Sequence, residues 1–190
     1  MAFFDEARIT VISGKGGNGC SSFRREKYIP KGGPDGGDGG KGGDVVAIHD
    51  RNLNSLINLK GKRVFSAKSG KAGSGKNMKG ESGEDLLIRL PNGTLIYADK
   101  TGELIGEITD TNEKIVLAKG GKGGLGNARF KSSTNQSPRK FTEGEEADER
   151  DIMLELRLIA DVGLLGLPNA GKSTLINNIT NSKSKIGSYA

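Results

Sequence analysis

Glycine recurs with a period of three in several segments of this chain, and that spacing restricts the possible fold more than any other feature. In residues 33–43 one series of glycines falls at 33, 36, 39 and 42 and a second at 37, 40 and 43, and residues 120–126 repeat the pattern. A period of three is that of the polyproline II helix, which has no internal hydrogen bonds. Two faces of each such helix could then touch neighbouring backbones. The spacing favours an ordered polyproline II bundle, whereas composition alone would favour a flexible linker.

Short alternating or apolar segments lie between the glycine clusters and predict β-strands. Turn sequences at 91–93 and 100–102 separate three of them. The predicted strands are residues 7–12, 44–48, 86–90, 94–97, 104–108, 114–118 and 152–158. Seven or eight short strands predict a mainly β fold, an antiparallel barrel or sandwich with the glycine segments as long excursions. Near residue 159 the pattern changes to strand–loop–helix, which predicts a second domain.

That second pattern contains a complete phosphate-binding loop. Residues 166–173 read GLPNAGKS, between an apolar run at 162–165 and a helix-like stretch at 174–179. Backbone N–H groups and the helix N-terminus would surround a phosphate, Lys172 would reach the β- and γ-phosphates, and the Ser173 hydroxyl would take one Mg²⁺ position. The alternative is a glycine turn that binds nothing. The predicted nucleotide-binding residues are Gly166, Leu167, Pro168, Asn169, Ala170, Gly171, Lys172, Ser173 and Thr174.

Little sequence follows the loop. No Asp or Glu occurs after Lys172, whereas hydrolysis needs a second acidic Mg²⁺ position, a water-orienting residue and a base-reading segment. We therefore expect these 190 residues to be part of a longer protein, to hold no catalytic residue beyond phosphate stabilisation by Lys172, and to lack measurable hydrolysis by themselves.

The charge pattern points to a polyanionic partner. The net charge is +6, and residues 51–81 carry eight basic residues against one acid. Cations on side-chain-poor helices can approach phosphates closely and read RNA by shape; the alternative is ordinary solvated surface charge. The acidic run 143–151 is expected to face away from RNA. The candidate RNA-binding residues are Arg24, Arg25, Lys27, Lys31, Lys60, Lys62, Arg63, Lys71, Lys76 and Lys79.

Composition also indicates a compartment. The single cysteine, Cys20, fits a reducing environment, the N-terminus does not resemble a signal peptide, and no stretch approaches the length of a membrane span. We expect a cytoplasmic monomer without a membrane span.

Several of these segments match a known family. Residues 23–34, running into 36–43, resemble the N-terminal domain of the Obg (CgtA-type) GTPases, and residues 120–127 and the 160–163 junction are similar too. The resemblance spans the whole chain. It implies an Obg fold over 1–159, which is an eight-stranded β-barrel with six glycine-rich polyproline II-type helices. It also implies the truncated start of an α/β P-loop (Ras-like) G domain over 160–190.

The resemblance implies a function as well. The family binds GTP and GDP with Mg²⁺, hydrolyses GTP, and acts in biogenesis of the large ribosomal subunit, with a link to the stringent response, growth control and possible binding of ppGpp. In this reading the N-terminal domain docks on ribosomal RNA and the G domain is the nucleotide switch. The alternative is a glycine-rich protein-binding scaffold with an incomplete, non-catalytic nucleotide site.

Asn169 carries a separate hypothesis. In some GTPases with a similar loop, this asparagine helps to bind K⁺ in place of an arginine finger, which would make hydrolysis by the full-length protein K⁺-stimulated. The alternative is that Asn169 only caps the loop through hydrogen bonds.

Overall fold

A computed structural model of the chain describes residues 5–26 and 32–157, together with Leu165, Gly171, Lys172, Thr174 and Leu175. The described part is mainly β. Its strands are β1 (Glu6–Ile12), β2 (Val45–His49), β3 (Val64–Ser66), β4 (Leu86–Leu90), β5 (Thr94–Ala98), β6 (Leu104–Ile108), β7 (Lys114–Ala118) and β8 (Glu149–Leu156), and its two 3₁₀ turns are Leu56–Leu59 and Asn127–Phe130. The sequence missed only β3, because three residues are too few to show an alternation. The predicted strand at 162–165 lies outside the described residues.

The eight strands form two hydrogen-bonded sheets that share one core. The larger sheet has the order β3-β1-β8-β5-β6 and the smaller one β4-β2-β7. Their inward side chains pack together in a single apolar cluster that includes Ile9, Ile96 and Leu154 from the larger sheet and Val45 and Leu117 from the smaller. This is the sandwich form of the sequence-based prediction.

A closed eight-stranded barrel is not found in the described residues. At one junction of the sheets, between β6 and β7, the side chain of Ile115 occupies the space over Gly106. Side-chain packing rather than a backbone ladder joins the two strands there, so the barrel expectation is corrected to two packed sheets.

Two of the strand pairs are parallel, contrary to the expected antiparallel arrangement. β1 pairs in parallel with β3, and β2 with β4. Parallel neighbours need long connections, and the glycine segments supply them. The chain leaves β1, β3 and β7 into glycine segments and returns through glycine segments into β2, β4 and β8.

These three excursions comprise six segments in the described chain. We label them a (14–20), b (36–43), c (68–74), d (78–84), e (120–126) and f (142–146). Their backbone hydrogen bonds run between segments at steps of three residues. For example, the N–H groups of Gly14, Gly17 and Cys20 donate to the carbonyls of Gly43, Gly40 and Gly37, at 2.8, 2.8 and 3.0 Å. Segment a is also bonded to c, e and f, and b to c, d and e.

The two glycine columns face different neighbours, as the spacing predicts. A Cβ on Gly16 would overlap the carbonyl oxygen of Lys122 in segment e, whereas a Cβ on Gly17 would overlap that of Lys71 in segment c. Gly126 has φ −74° and ψ 161°, which is polyproline II backbone. The ordered bundle is therefore confirmed, and the flexible linker was the wrong alternative.

Contacts along the chain divide it into two compact units, Met1–Arg157 and Leu158–Ala190.

Candidate nucleotide loop and nucleic-acid interface

The structure describes the predicted phosphate-binding loop only at its junction with the following helix, apart from Leu165 before it. Gly171 has φ +80°, and a Cβ there would meet nothing within 4 Å. Glycine is therefore needed for its left-handed backbone rather than for space. Lys172, Thr174 and Leu175 are helical, and the Leu175 N–H donates to the Gly171 carbonyl at 2.9 Å.

This geometry suits an anion. A helix that begins directly after a left-handed glycine directs its first N–H groups and its positive dipole end toward the preceding loop. An amine and a hydroxyl, Lys172 and Thr174, lie on that first turn, and both groups are able to donate hydrogen bonds to phosphate oxygens. The described residues thus fit a nucleotide phosphate.

Other predicted loop residues lie outside the described ones: Gly166 to Ala170 and Ser173. The assignments of Ser173 to Mg²⁺ and of Asn169 to K⁺ stay predictions. In the described part of the chain no group of three His, Cys, Asp or Glu side chains could hold a metal ion. The same part contains no helix long and apolar enough to cross a bilayer.

A second candidate site lies at the far end of the glycine bundle. The segments extend from the strands, so the loops that connect them meet at the opposite end, which we call the distal end. These are loop 21–35, of which 21–26 and 32–35 are described, loop 75–77 and loop 127–141. At a rise of about 3.1 Å per residue, six residues place it about 19 Å from the sheets. Gly33 of the first loop lies near Lys131 of the third, and Gly75 of the second near Ser22.

The distal end is basic. Its described loops contain two carboxylates, Glu26 and Asp35, while loop 127–141 has no acid at all. Their cations are Arg24, Arg25, Lys76, Arg129, Lys131, Arg139 and Lys140. Arg24 is neutralised by Glu26, with hydrogen bonds of 2.8 and 2.9 Å. Arg25, Lys76, Lys131 and Arg139 are solvent-exposed, so the surface keeps a positive excess.

Two polar side chains fix this end to the bundle. Asn127 is fully buried; its amide accepts from the Gly36 N–H at 2.8 Å and donates to the carbonyls of Ser22 and Pro138. Asp38 accepts from the Gly126 N–H at 2.9 Å and from the Arg129 guanidinium at 2.8 Å. Burial alone would raise the pKa of Asp38, but these hydrogen bonds outweigh it and hold that pKa below its ordinary value.

The predicted RNA-binding residues separate into three groups. Arg24, Arg25 and Lys76 lie at the distal end, and Lys79 follows it in segment d. Lys71 lies within segment c, where it pairs with Glu81 at 2.7 Å. A basal cluster of Lys60, Lys62 and Arg63 precedes β3, beside β1, where the Arg63 carbonyl accepts from the Thr10 N–H. Lys27 and Lys31 lie outside the described residues.

The sequence missed three distal cations, Lys131, Arg139 and Lys140. They lie beyond the glycine run 120–126, and only the return of the chain through segment f brings them beside loops 21–35 and 75–77. Their signal was available in the sequence: residues 127–141 contain four cations and no acid.

The acidic run 143–151 is divided by the fold. Glu145 and Glu146 belong to segment f and pair with Lys122 of segment e at 3.7 Å and Lys15 of segment a at 2.7 Å. Glu143 lies in the same segment, Asp148 follows it, and Glu149 and Asp151 belong to β8. A single glycine, Gly144, was too little to reveal the sixth segment.

The comparison with protein families decides the identity of this architecture. The family model described as GTP1/OBG matches residues 4–158. The chain belongs to the GTP1/OBG family. The suspected Obg resemblance is thereby confirmed, and the sandwich with its six-segment glycine bundle is the structure of the matched region. Residues 161–190 match a second family model, described as 50S ribosome-binding GTPase. Both matches identify this GTP1/OBG member as a GTP-binding protein.

Proposed function

We propose that this protein is a GTP-dependent factor for the large ribosomal subunit, which docks on ribosomal RNA through the distal end of its glycine bundle. The family matches support guanine nucleotide binding and a ribosomal context. The observation that carries the docking site is the convergence of three basic loops at one end of a rigid bundle. The basal cluster would contribute little to this contact.

In this proposal residues 166–174 hold GTP or GDP. The Gly171 backbone and the helix N-terminus bind the phosphates, Lys172 neutralises their charge, and Ser173 holds Mg²⁺, which would polarise the phosphate oxygens when bound. The full-length protein hydrolyses GTP, and its nucleotide state sets when it leaves the subunit. Binding of ppGpp in the same loop would provide the link to the stringent response and growth control.

The test is co-sedimentation with purified large ribosomal subunits across a salt series. Two triple variants remove equal charge: Arg25→Ser, Lys131→Ser and Arg139→Ser at the distal end, or Lys60→Ser, Lys62→Ser and Arg63→Ser in the basal cluster. We expect the distal variant to lose about tenfold or more in affinity at low salt and to show a shallower salt dependence, because fewer phosphate counterions are released. The basal variant should bind like the unmodified protein.

Equal losses in the two variants would reject the distal end as the docking site. Salt-insensitive binding of the unmodified protein would reject RNA phosphates as the main partner, and binding to a protein partner in its place would favour the scaffold alternative.

A further inference from the structure

The loop between segments c and d has an unusual backbone for its residues. Lys76 has φ +60° and Asn77 φ +56°, the two positive values that define a type I′ turn. Such turns strongly prefer Asn-Gly. Asn77 tolerates this conformation, but a lysine rarely adopts it. Something outside the turn must therefore stabilise it.

Asp35 meets that need from the neighbouring loop. Its residue is 7 % exposed. One carboxylate oxygen accepts from the Lys76 N–H at 3.1 Å and the other from the Ser22 hydroxyl at 2.7 Å. The Asp35 carbonyl accepts from the Asn77 N–H at 2.6 Å, and the Asp35 N–H donates to the Ser22 carbonyl at 2.9 Å. The backbone N–H groups of Lys76 and Asn77 therefore both donate hydrogen bonds to Asp35.

The turn that Asp35 stabilises carries an exposed cation, Lys76. The Lys76 side chain is exposed, and its charge lies close enough to Glu26 to help lower the pKa of that carboxyl, after the larger effect of the Arg24 hydrogen bond. Lys76 therefore lies beside loop 21–35, within the basic surface of the distal end. Because the backbone on both sides of its Cα is hydrogen-bonded, the flexible side chain of Lys76 starts from a fixed point on that surface.

We propose that Asp35 is a positioning residue: it locks the 75–78 turn so that Lys76 contacts an RNA phosphate. The inference rests on the proposed docking function and adds to it a specific contact and the residue that orders it. Asp35 itself touches no RNA in this proposal. Its effect on binding passes through Lys76.

A double-mutant cycle tests this route. Asp35→Asn replaces a charged acceptor by a neutral amide, which has one oxygen instead of two for the Lys76 N–H and the Ser22 hydroxyl, and we expect it to hold the turn less strongly. Lys76→Asn removes the cation but keeps a residue that tolerates positive φ. With large ribosomal subunits as the probe, we expect each single variant to weaken binding about three- to tenfold and to lower the salt slope by about one phosphate contact. The double variant should be no weaker than Lys76→Asn alone.

A rescue separates turn geometry from other effects of Asp35. Adding Asn77→Gly to Asp35→Asn supplies the glycine that type I′ turns prefer, and we expect it to restore most of the lost affinity. If Asp35→Asn weakens binding as much in the Lys76→Asn background as in the unmodified protein, or if Asn77→Gly restores nothing, the positioning role is overturned. Should Asp35→Asn not fold, Ser22→Ala, which releases one carboxylate oxygen, replaces it in the same cycle with a smaller expected loss.

Hydrogen exchange tests the geometry without RNA. The amides of Lys76 and Asn77 should be protected in the unmodified protein and exchange at least tenfold faster in Asp35→Asn, while those of Gly40 and Gly43 stay unchanged. Fast exchange in the unmodified protein would overturn the proposal. If exchange behaves as expected but the unmodified protein does not bind subunits, the docking function fails and the RNA contact of Lys76 fails with it. The turn lock alone then stands.

Discussion

At the scale of single residues, replacing a glycine by alanine adds one methyl group and so tests how closely the backbones of the glycine bundle pack. A Cβ on Gly42 would overlap the carbonyl oxygen of Gly14, which is backbone and cannot rotate away. Gly33 is the matched control, since among the described residues a Cβ there would meet only the end of the flexible Lys131 side chain, at 3.9 Å. We expect Gly42→Ala to lower the free energy of unfolding by about 3 kcal/mol and Gly33→Ala to change it by less than about 0.5 kcal/mol. Urea denaturation measures both; equal effects would contradict close backbone packing.

Two half-buried carboxylates, Asp38 and Asp44, make the stability of the bundle depend on pH in the acid range. The pKa of Asp38 is lowered as described above, and that of Asp44 is lowered because hydrogen bonds from Lys41 and the Gly120 N–H outweigh the opposing effect of burial. A lowered folded-state pKa stabilises the fold above the unfolded pKa of about 3.9, and this contribution disappears as the pH falls through the folded-state values.

We expect the urea midpoint to fall as the pH is lowered from 5 toward 2. The fall should be larger in the unmodified protein than in the Asp38→Asn, Asp44→Asn double variant. The asparagines keep an acceptor for the Gly126 and Gly120 amides but do not titrate. Parallel pH profiles of the two proteins would show that other carboxylates cause the acid sensitivity.

At the scale of elements, the bundle is ordered by hydrogen bonds between segments that belong to neither helix nor sheet. The amides of Gly14, Gly17, Gly40 and Gly43 all donate to carbonyls on other segments at 2.8 to 2.9 Å. We expect their hydrogen exchange to be at least a hundredfold slower than that of exposed Ser133. If these amides exchange as fast as that of Ser133, the glycine segments behave as a flexible linker and the ordered bundle is contradicted.

What the sequence could predict at this scale depends on where the determining interactions lie. The period of three and the apolar alternation are local, so the bundle and seven of the strands were predictable from residues such as Gly39 and Gly42. The partner of each segment is set by topology. The parallel pairing of β1 with β3, the role of Gly144 in segment f and the meeting of Lys131 with Gly33 therefore had no local signal. The predicted phosphate loop has a contiguous motif, but the structure describes only the left-handed backbone of Gly171 and the start of the helix after it, so the rest of that loop stays a prediction.

At the scale of the whole molecule, the exposed ion pairs of the bundle determine which cations contribute to its surface charge. Lys15, Lys71 and Lys122 each pair with a glutamate on a neighbouring segment, so these charges on the sides of the bundle are neutralised. Because the pairs are exposed, they contribute little to stability. Among the described residues, the exposed cations Arg25, Lys76, Lys131 and Arg139 at the distal end and the three of the basal cluster form no ion pair. These two groups should attract a polyanion more strongly than the paired sides of the bundle do.

The chain divides into two units after Arg157, and the proposed function places RNA binding in the first and nucleotide binding in the second. We therefore expect mutations to separate the two activities. Lys172→Ala should lower GTP affinity roughly ten- to a hundredfold, because a charge-assisted hydrogen bond to phosphate contributes about 1.5–3 kcal/mol. Lys114→Ala, which removes the same charge from the exposed first residue of β7, is the control. Calorimetric titration of the full-length protein with GTP measures the affinity.

Neither Lys172→Ala nor Lys114→Ala should change the salt-dependent binding of nucleotide-free protein to large subunits. The distal triple variant should lose that binding and keep its GTP affinity. Loss of both activities in Lys172→Ala would mean that docking requires the occupied nucleotide site, and the distal end could then no longer be regarded as an independent RNA-binding surface.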